Sequence, residues 1–391
     1  MLEHSAIDQL KDTLRQGIAN RELAGANLLV IKDGRELIYH EDGMADIEAD
    51  IPVRRDSIFR LFSFTKPITA TAAMILLERG KIDLFDPVSK YLPGFRNQLV
   101  EQEGTLVPVN REVHLLDLLS MTSGLVYGGD HLAGRETEAL LHEINSRMLT
   151  DTPLTTLEAM NRLGAIPLSS QPGEIWRYGT SSDVMGAVIE VASGMRFGEF
   201  LRQEIFEPLG MHDTGFWVPE EKRGRLVNTY EDNGTGELTL FIENRLGIIQ
   251  AMDRTPAFES GGAGLVSTID DASRFTRMLL GDGELSGVQI LRPRTVRYMS
   301  SATLTPEQMR GFEQWHSYRG YNYGNFMRVL TDSTQAGVLG SNGEYGWDGW
   351  LGAYFCNCPK ENLTFLFMMQ KTDAGTTTLT RKLRNIVLSG L

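Results

Sequence analysis

Cysteine is nearly absent: Cys356 and Cys358 are the only two in 391 residues. One such pair builds no disulfide framework, and a metal centre needs more ligands than two side chains supply. Separated by a single residue, they share a face of an expected strand and are read as core or sheet-face residues. Positive charge is also in deficit. Thirty-eight Lys and Arg against 51 Asp and Glu leave a formal charge of −13, and there is no Lys/Arg run. Such a surface repels phosphate, which argues against a nucleic-acid or anionic-membrane partner. No stretch approaches the roughly 20 apolar residues of a membrane span. The opening MLEHSAIDQLKDTLRQGIANREL lacks a basic start, an apolar core and a small-residue cleavage site. It reads as an amphipathic helix, and the expected compartment is the cytoplasm.

Two further absences narrow the chemistry. No Gly-x-Ser-x-Gly elbow occurs, so an α/β-hydrolase is disfavoured. The seven histidines show no His-Glu-x-x-His spacing and no triad role. No metal and no cofactor are expected.

What is present is an ordinary globular composition, with 41% hydrophobic and 23% charged residues. The length exceeds what one core usually serves, so two domains or one domain with an insertion are expected. Residues 26–41 read as a hairpin about Asp33-Gly34, which supplies the positive φ angles of a tight type I′ turn. Residues 65–80, TKPITATAAMILLERG, read as a buried helix with Pro67 in its first turn and Gly80 at its end. Helical patterns dominate from about 81 to 246. After Gly261, Thr268-Ile-Asp-Asp271 opens a helix. The strand-like runs NFMRVL, GWLGAYFCN and LTFLFMMQ follow, and TTTLTRKLRNIVLSGL closes the chain as a helix. The expected fold is α+β: an antiparallel sheet drawn from both termini and flanked by helices, with a mostly helical domain inserted. The expected division is 1–80 with 255–391 against 81–254, with the active site at their interface.

The chemistry is expected at Ser63-Phe64-Thr65-Lys66, the only S-x-x-K in the chain. Three residues apart at a helix start, serine and lysine share a face. A serine hydroxyl needs a base to become a nucleophile. A lysine serves only if its pKa falls well below the free value of about 10.4. For a random S-x-x-K, a cap serine and a solvated lysine would be the better reading. Here the helix is too apolar to leave an exposed lysine an obvious place. Tyr178, followed by Gly179 and Thr180, is the expected second proton carrier. Tyr323-Gly324-Asn325 is a rival in a strand-like run and reads as structural. Gly346-Trp347-Asp348-Gly349-Trp350 is read as lying just before an edge-like strand, where a glycine lets backbone approach a substrate closely, against the plainer reading of an ordinary aromatic-rich turn. There the Trp350 N–H is a candidate oxyanion donor beside that of Ser63. Trp347, Asp348, Gly349, Trp350 and Thr180 are the candidate substrate- and oxyanion-binding residues.

Together these segments resemble the serine β-lactamase and penicillin-binding-protein superfamily in its class C-like branch. The surrounding runs LLSMTSGL, IFEPLGMHDTGF and ESGGAGLVSTIDDASRF agree, and the likeness covers about residues 20–370. Thr180 stands where that family has Asn or Ser, and Trp347-Asp348 where it has Lys or His, then Thr or Ser. The Trp-x-Gly form is similar to the family VIII carboxylesterases. The resemblance implies a serine hydrolase working through an acyl-enzyme on small uncharged acyl esters. The alternatives are a β-lactamase or D-Ala-D-Ala peptidase, an acyltransferase, and, less favoured, a non-enzymatic scaffold. Whether Lys66 or Tyr178 deprotonates Ser63 stays open at this level.

Overall fold

The structure is a computed structural model that describes residues 2–102 and 104–391, apart from the side chain of His316. An eight-stranded antiparallel sheet forms its centre. Helix α1 (His4–Ala19) leads into β1 (Gly25–Lys32) and β2 (Arg35–Asp46). Their hairpin turns at Asp33 and Gly34, with φ of 50° and 75°, as a type I′ turn requires. A short β3 (Ile51–Pro52) follows, then α2 (Thr65–Glu78). Farther on come α3 (Ser181–Ser193) and α4 (Ile269–Leu280). The Thr268 hydroxyl caps α4 by accepting the Asp271 N–H at 3.2 Å. Strands β4 (Tyr321–Gly324), β5 (Met327–Leu330), β6 (Tyr345–Asp348), β7 (Tyr354–Cys358) and β8 (Leu363–Met369) complete the sheet, and α5 (Thr378–Ser389) ends the chain.

The sheet order is β4-β5-β6-β7-β8-β1-β2-β3. It therefore joins the two ends of the chain: β1 pairs with β8 from Ala26↔Met369 to Lys32↔Leu363. Successive side chains of a strand point to opposite faces, and here both faces are covered. Leu28 and Val30 pack with Leu10 and Leu14 of α1 and Leu383 and Val387 of α5. Leu29 and Ile31 face the other way, into the core shared with α2, α3 and α4. Helix α2 is buried from Thr65 through Leu76. Pro67 falls in its first turn, where an N–H has no intrahelical partner to lose.

Two expectations change. The Gly346–Asp348 segment does not precede an edge strand. It lies in β6, an interior strand, and its Gly346 admits β7 so closely that a Cβ there would sit 2.1 Å from the Phe355 oxygen. The turn comes later, at 349–352. The middle of the chain also holds two hairpins, Leu99–Gln102 with Thr105–Pro108 and Tyr230–Asp232 with Leu238–Leu240. Cys356 and Cys358 are free and buried. Glu344 lies near both, with its carboxylate engaged by Arg384 at 2.6 Å.

Candidate active site

Ser63 sits in a single 3-10 turn, Phe62–Phe64, that runs directly into α2. Phe62 holds φ of 45°, a left-handed conformation that is strained for a bulky residue and persists only when its surroundings enforce it. Those surroundings are visible. Leu61 donates its N–H to Leu265 O at 2.8 Å, and the Phe62 ring packs 5.2 Å from the Trp350 ring. Gly349 presses against the same loop, since a Cβ there would lie 2.0 Å from Leu61 O. The β6–β7 turn is thereby held against the Ser63 loop. Neither the Ser63 nor the Trp350 backbone N–H donates to another group among the described residues.

Lys66 is fully buried in the first turn of α2. Its Nζ lies 3.0 Å from Ser63 Oγ, 3.1 Å from Tyr127 OH and 2.8 Å from Gly262 O. Burial pushes its pKa from 10.5 down to about 7, against the pull of Asp183 and Asp348. A neutral amine has two N–H donors and one lone pair. With Gly262 O and Tyr127 OH as acceptors, the lone pair is left for the Ser63 proton.

Tyr178 lines the cleft and covers Lys66, whose Nζ lies 4.7 Å from its ring centroid. Gly179 makes this approach possible: a Cβ there would meet Leu125 O at 2.3 Å. The chain around Tyr178 is thus laid against the segment that carries Tyr127, and the two rings lie 5.7 Å apart. Burial holds the Tyr178 hydroxyl well above the usual phenol range, and hydrogen bonds with Ser63 and Trp347 offset this only in part.

The remaining sequence candidates fall in distinct places. Trp347 is fully buried and does not line the cleft; its indole N–H donates to Tyr178 OH at 3.3 Å. Asp348 does line the cleft, and its carboxylate accepts the Tyr318 hydroxyl at 2.5 Å as well as that of Thr376. Trp350 forms part of the wall and donates its indole N–H to Asp373 at 2.7 Å. Thr180 is buried away from the cleft lining, with a hydroxyl that has no partner among the described residues. Tyr323 is fully buried behind Trp347, at 5.1 Å between rings, and its hydroxyl is likewise unpartnered.

Sequence reasoning missed Tyr127, Asp183, Trp315 and Tyr318. A signal existed for Tyr127, which follows the MTSGL run and precedes a glycine as Tyr178 does. The cleft itself measures about 300 Å³, with Trp315, Tyr318 and Trp350 as its aromatic walls. No Lys or Arg lines it, whereas Asp348 and Asp373 do. A separate cavity of about 320 Å³ lined by Phe206, Asp213 and Trp217 includes none of Ser63, Lys66 or Tyr178.

The Beta-lactamase family matches residues 10–388. The chain belongs to that family. Esterase EstB of Burkholderia gladioli is 31% identical over 355 residues, covering 86% of this chain and 83% of its own. Protein Rv1367c of Mycobacterium tuberculosis is 33% identical over 357 residues, covering 89% and 86%. Among solved structures, "EstCE1, a hydrolase with promiscuous acyltransferase activity" superposes with a TM-score of 0.84 at 25% identity, over 98% of both chains. The simvastatin synthase LovD of Aspergillus terreus shares the fold, with a TM-score of 0.78 at 21% identity over 99% of this chain and 98% of its own. This family member is a serine hydrolase with the β-lactamase/transpeptidase-like fold. Among the described residues, no helix is long and apolar enough to cross a membrane.

Proposed function

We propose that the protein is an esterase that cleaves small acyl esters lacking a carboxylate, through an acyl-enzyme on Ser63. The observation that carries this is the buried Lys66 amine, 3.0 Å from Ser63 Oγ. Its pKa of about 7 suits a general base at neutral pH. In acylation, Lys66 takes the Ser63 proton as Oγ attacks the acyl carbon. The N–H groups of Ser63 and Trp350 receive the developing oxyanion. As the ester C–O bond breaks, the leaving oxygen takes the Tyr178 phenol proton, and the Lys66 ammonium returns a proton to Tyr178. In deacylation, water adds to the acyl carbon, its proton passes to Lys66, and Lys66 returns it to Ser63 as the acid departs. Trp347 serves here by orienting the Tyr178 hydroxyl. The sheet part and the helical part of the chain meet at this cleft.

The substrate class follows from the lining. A carboxylate entering a closed site loses its water at a cost of several kcal/mol unless a cation or donor replaces it. The cleft offers Asp348 and Asp373 where such a cation would be needed, and its aromatic walls suit an acyl or alkyl group. The relatives named as an esterase and as a hydrolase with acyltransferase activity support a small acyl substrate. A cytoplasmic location belongs to the same proposal: free, buried thiols suit a reducing compartment, and cell fractionation checks it. The deciding comparison is kcat/KM for p-nitrophenyl acetate and butyrate against nitrocefin, benzylpenicillin and a D-Ala-D-Ala peptide, each divided by its uncatalysed rate. Corrected values that favour the esters support the reading. Values that favour the carboxylated substrates overturn it in favour of a β-lactamase or peptidase.

A further inference from the structure

Asp183 is a buried carboxylate at the third position of α3, close behind the reacting groups but outside the cleft. Burying a charge costs several kcal/mol unless it is paired and hydrogen-bonded. The helix N-terminus offsets part of this cost. Its contacts account for more. Oδ1 accepts the Ser260 hydroxyl at 2.5 Å and the Gly262 N–H at 3.0 Å. The Ser260 oxygen in turn accepts the Ala263 N–H at 3.0 Å. The 260–263 turn is therefore closed around one carboxylate oxygen. The same turn is fastened to α2 from the other side. Gly261 O accepts the Thr69 hydroxyl at 2.7 Å, and Gly262 O accepts the Lys66 amine at 2.8 Å. There is no slack in this arrangement. A Cβ on Gly261 would lie 2.3 Å from Ser182 O, and one on Gly262 would lie 2.8 Å from both Asp183 Oδ2 and Tyr127 OH.

We propose that Asp183 is a positioning residue for Lys66. Through the Ser260–Gly262 turn it holds the Gly262 carbonyl where it draws one N–H of the amine, which leaves the lone pair directed at Ser63. Its negative charge also stabilises the protonated form of Lys66. This rests on the reading of Lys66 as the base and adds how that base is aimed and tuned. The groups facing Lys66 are Ser63, Tyr127 and Tyr178, with the charges of Asp183 and Asp348 acting on it. Those bearing on Asp183 are Lys66 and the tyrosines 127 and 178.

Asp183→Asn tests the proposal, because an asparagine oxygen keeps both hydrogen bonds and only the charge is lost. An opposite charge nearby raises the pKa of an amine, so removing it lowers that of Lys66. The acid limb of the kcat/KM profile for p-nitrophenyl butyrate, set by deprotonation of Lys66, should move down by about one pH unit. The plateau should fall about tenfold with KM little changed, as expected for a weaker base. Ser260→Ala is the companion variant, which keeps the charge and loosens the turn. Its acid limb should stay at the wild-type pH while the rate of Ser63 acylation falls several-fold. An unmoved limb in Asp183→Asn overturns the proposal. Should that variant not fold, an unchanged acylation rate in Ser260→Ala overturns it. A wild-type enzyme with no limb near pH 7 overturns the reading of Lys66 as base, and the inference with it.

Discussion

Replacing Lys66 by methionine should abolish turnover and yet stabilise the fold at neutral pH. The gap between the ordinary 10.5 and about 7, at about 1.4 kcal/mol per pH unit, corresponds to a cost of about 5 kcal/mol for burying this amine. Methionine fills a similar volume without that cost. The hydrogen bonds to Ser63, Tyr127 and Gly262 are lost, at about 1 kcal/mol each. A net gain of about 2 kcal/mol remains. For a chain of this length that raises Tm by about 2 °C, given an unfolding entropy of about 2 cal/mol/K per residue. The pH dependence is the sharper part. Unfolded Lys66 keeps its proton to about pH 10, whereas the folded form loses it near 7. Between these values the unfolded state binds more protons, so wild-type stability rises with pH. The variant lacks this rise, so its advantage should be full below pH 7, vanish at about pH 8 and become a deficit of about 3 kcal/mol, the three lost hydrogen bonds, above about pH 10. Urea melts of both proteins at pH 6, 7, 8.5 and 10 make the comparison. A variant that is less stable at pH 6 by an amount unchanged at pH 10 would refute a buried amine with a depressed pKa.

Two further outcomes discriminate among neighbouring residues. Tyr178→Phe should lower kcat by about 10² or more, whereas Tyr323→Phe should leave kcat/KM nearly unchanged, because the Tyr323 hydroxyl has no partner to lose; steady-state kinetics on p-nitrophenyl butyrate decides between them. Gly349→Ala should lower kcat by about 10², since a Cβ placed 2.0 Å from Leu61 O must push the Trp350 N–H away from Ser63. The observation that would count against that placement is an unchanged kcat in a variant that folds normally.

Much of the fold could be read from local pattern. The Asp33-Gly34 turn, the terminal helices and the apolar α2 follow from turn chemistry and periodicity, because each is decided by residues close in sequence. The third motif was harder. Tyr345 and Trp347 alternate with Gly346 and Asp348 as a strand should, yet the glycines on either side of Trp347 look like a turn. What makes the segment a strand is its close approach to β7, which lies outside it in sequence. The hairpins near residues 100 and 235 are short and sit in a stretch dominated by helical patterns. Ser63 and Lys66 were legible together because their spacing of three is a local geometric statement. Tyr127 and Asp183 were not, because each acquires its place only where a glycine lets two distant segments touch: Gly179 against Leu125, and Gly262 against Asp183.

The central claim is that Ser63 becomes covalently acylated with Lys66 as its base. The direct measurement is mass spectrometry of the intact protein after reaction with a fluorophosphonate, followed by peptide mapping, across pH 5 to 9. One adduct should form, on Ser63, with a labelling rate that rises through about pH 7 in step with the Lys66 pKa of about 7. Ser63→Ala should take no label, and Lys66→Met should label more slowly by about 10² or more. A stable adduct on another serine, or labelling of Ser63 at full rate without Lys66, would contradict it.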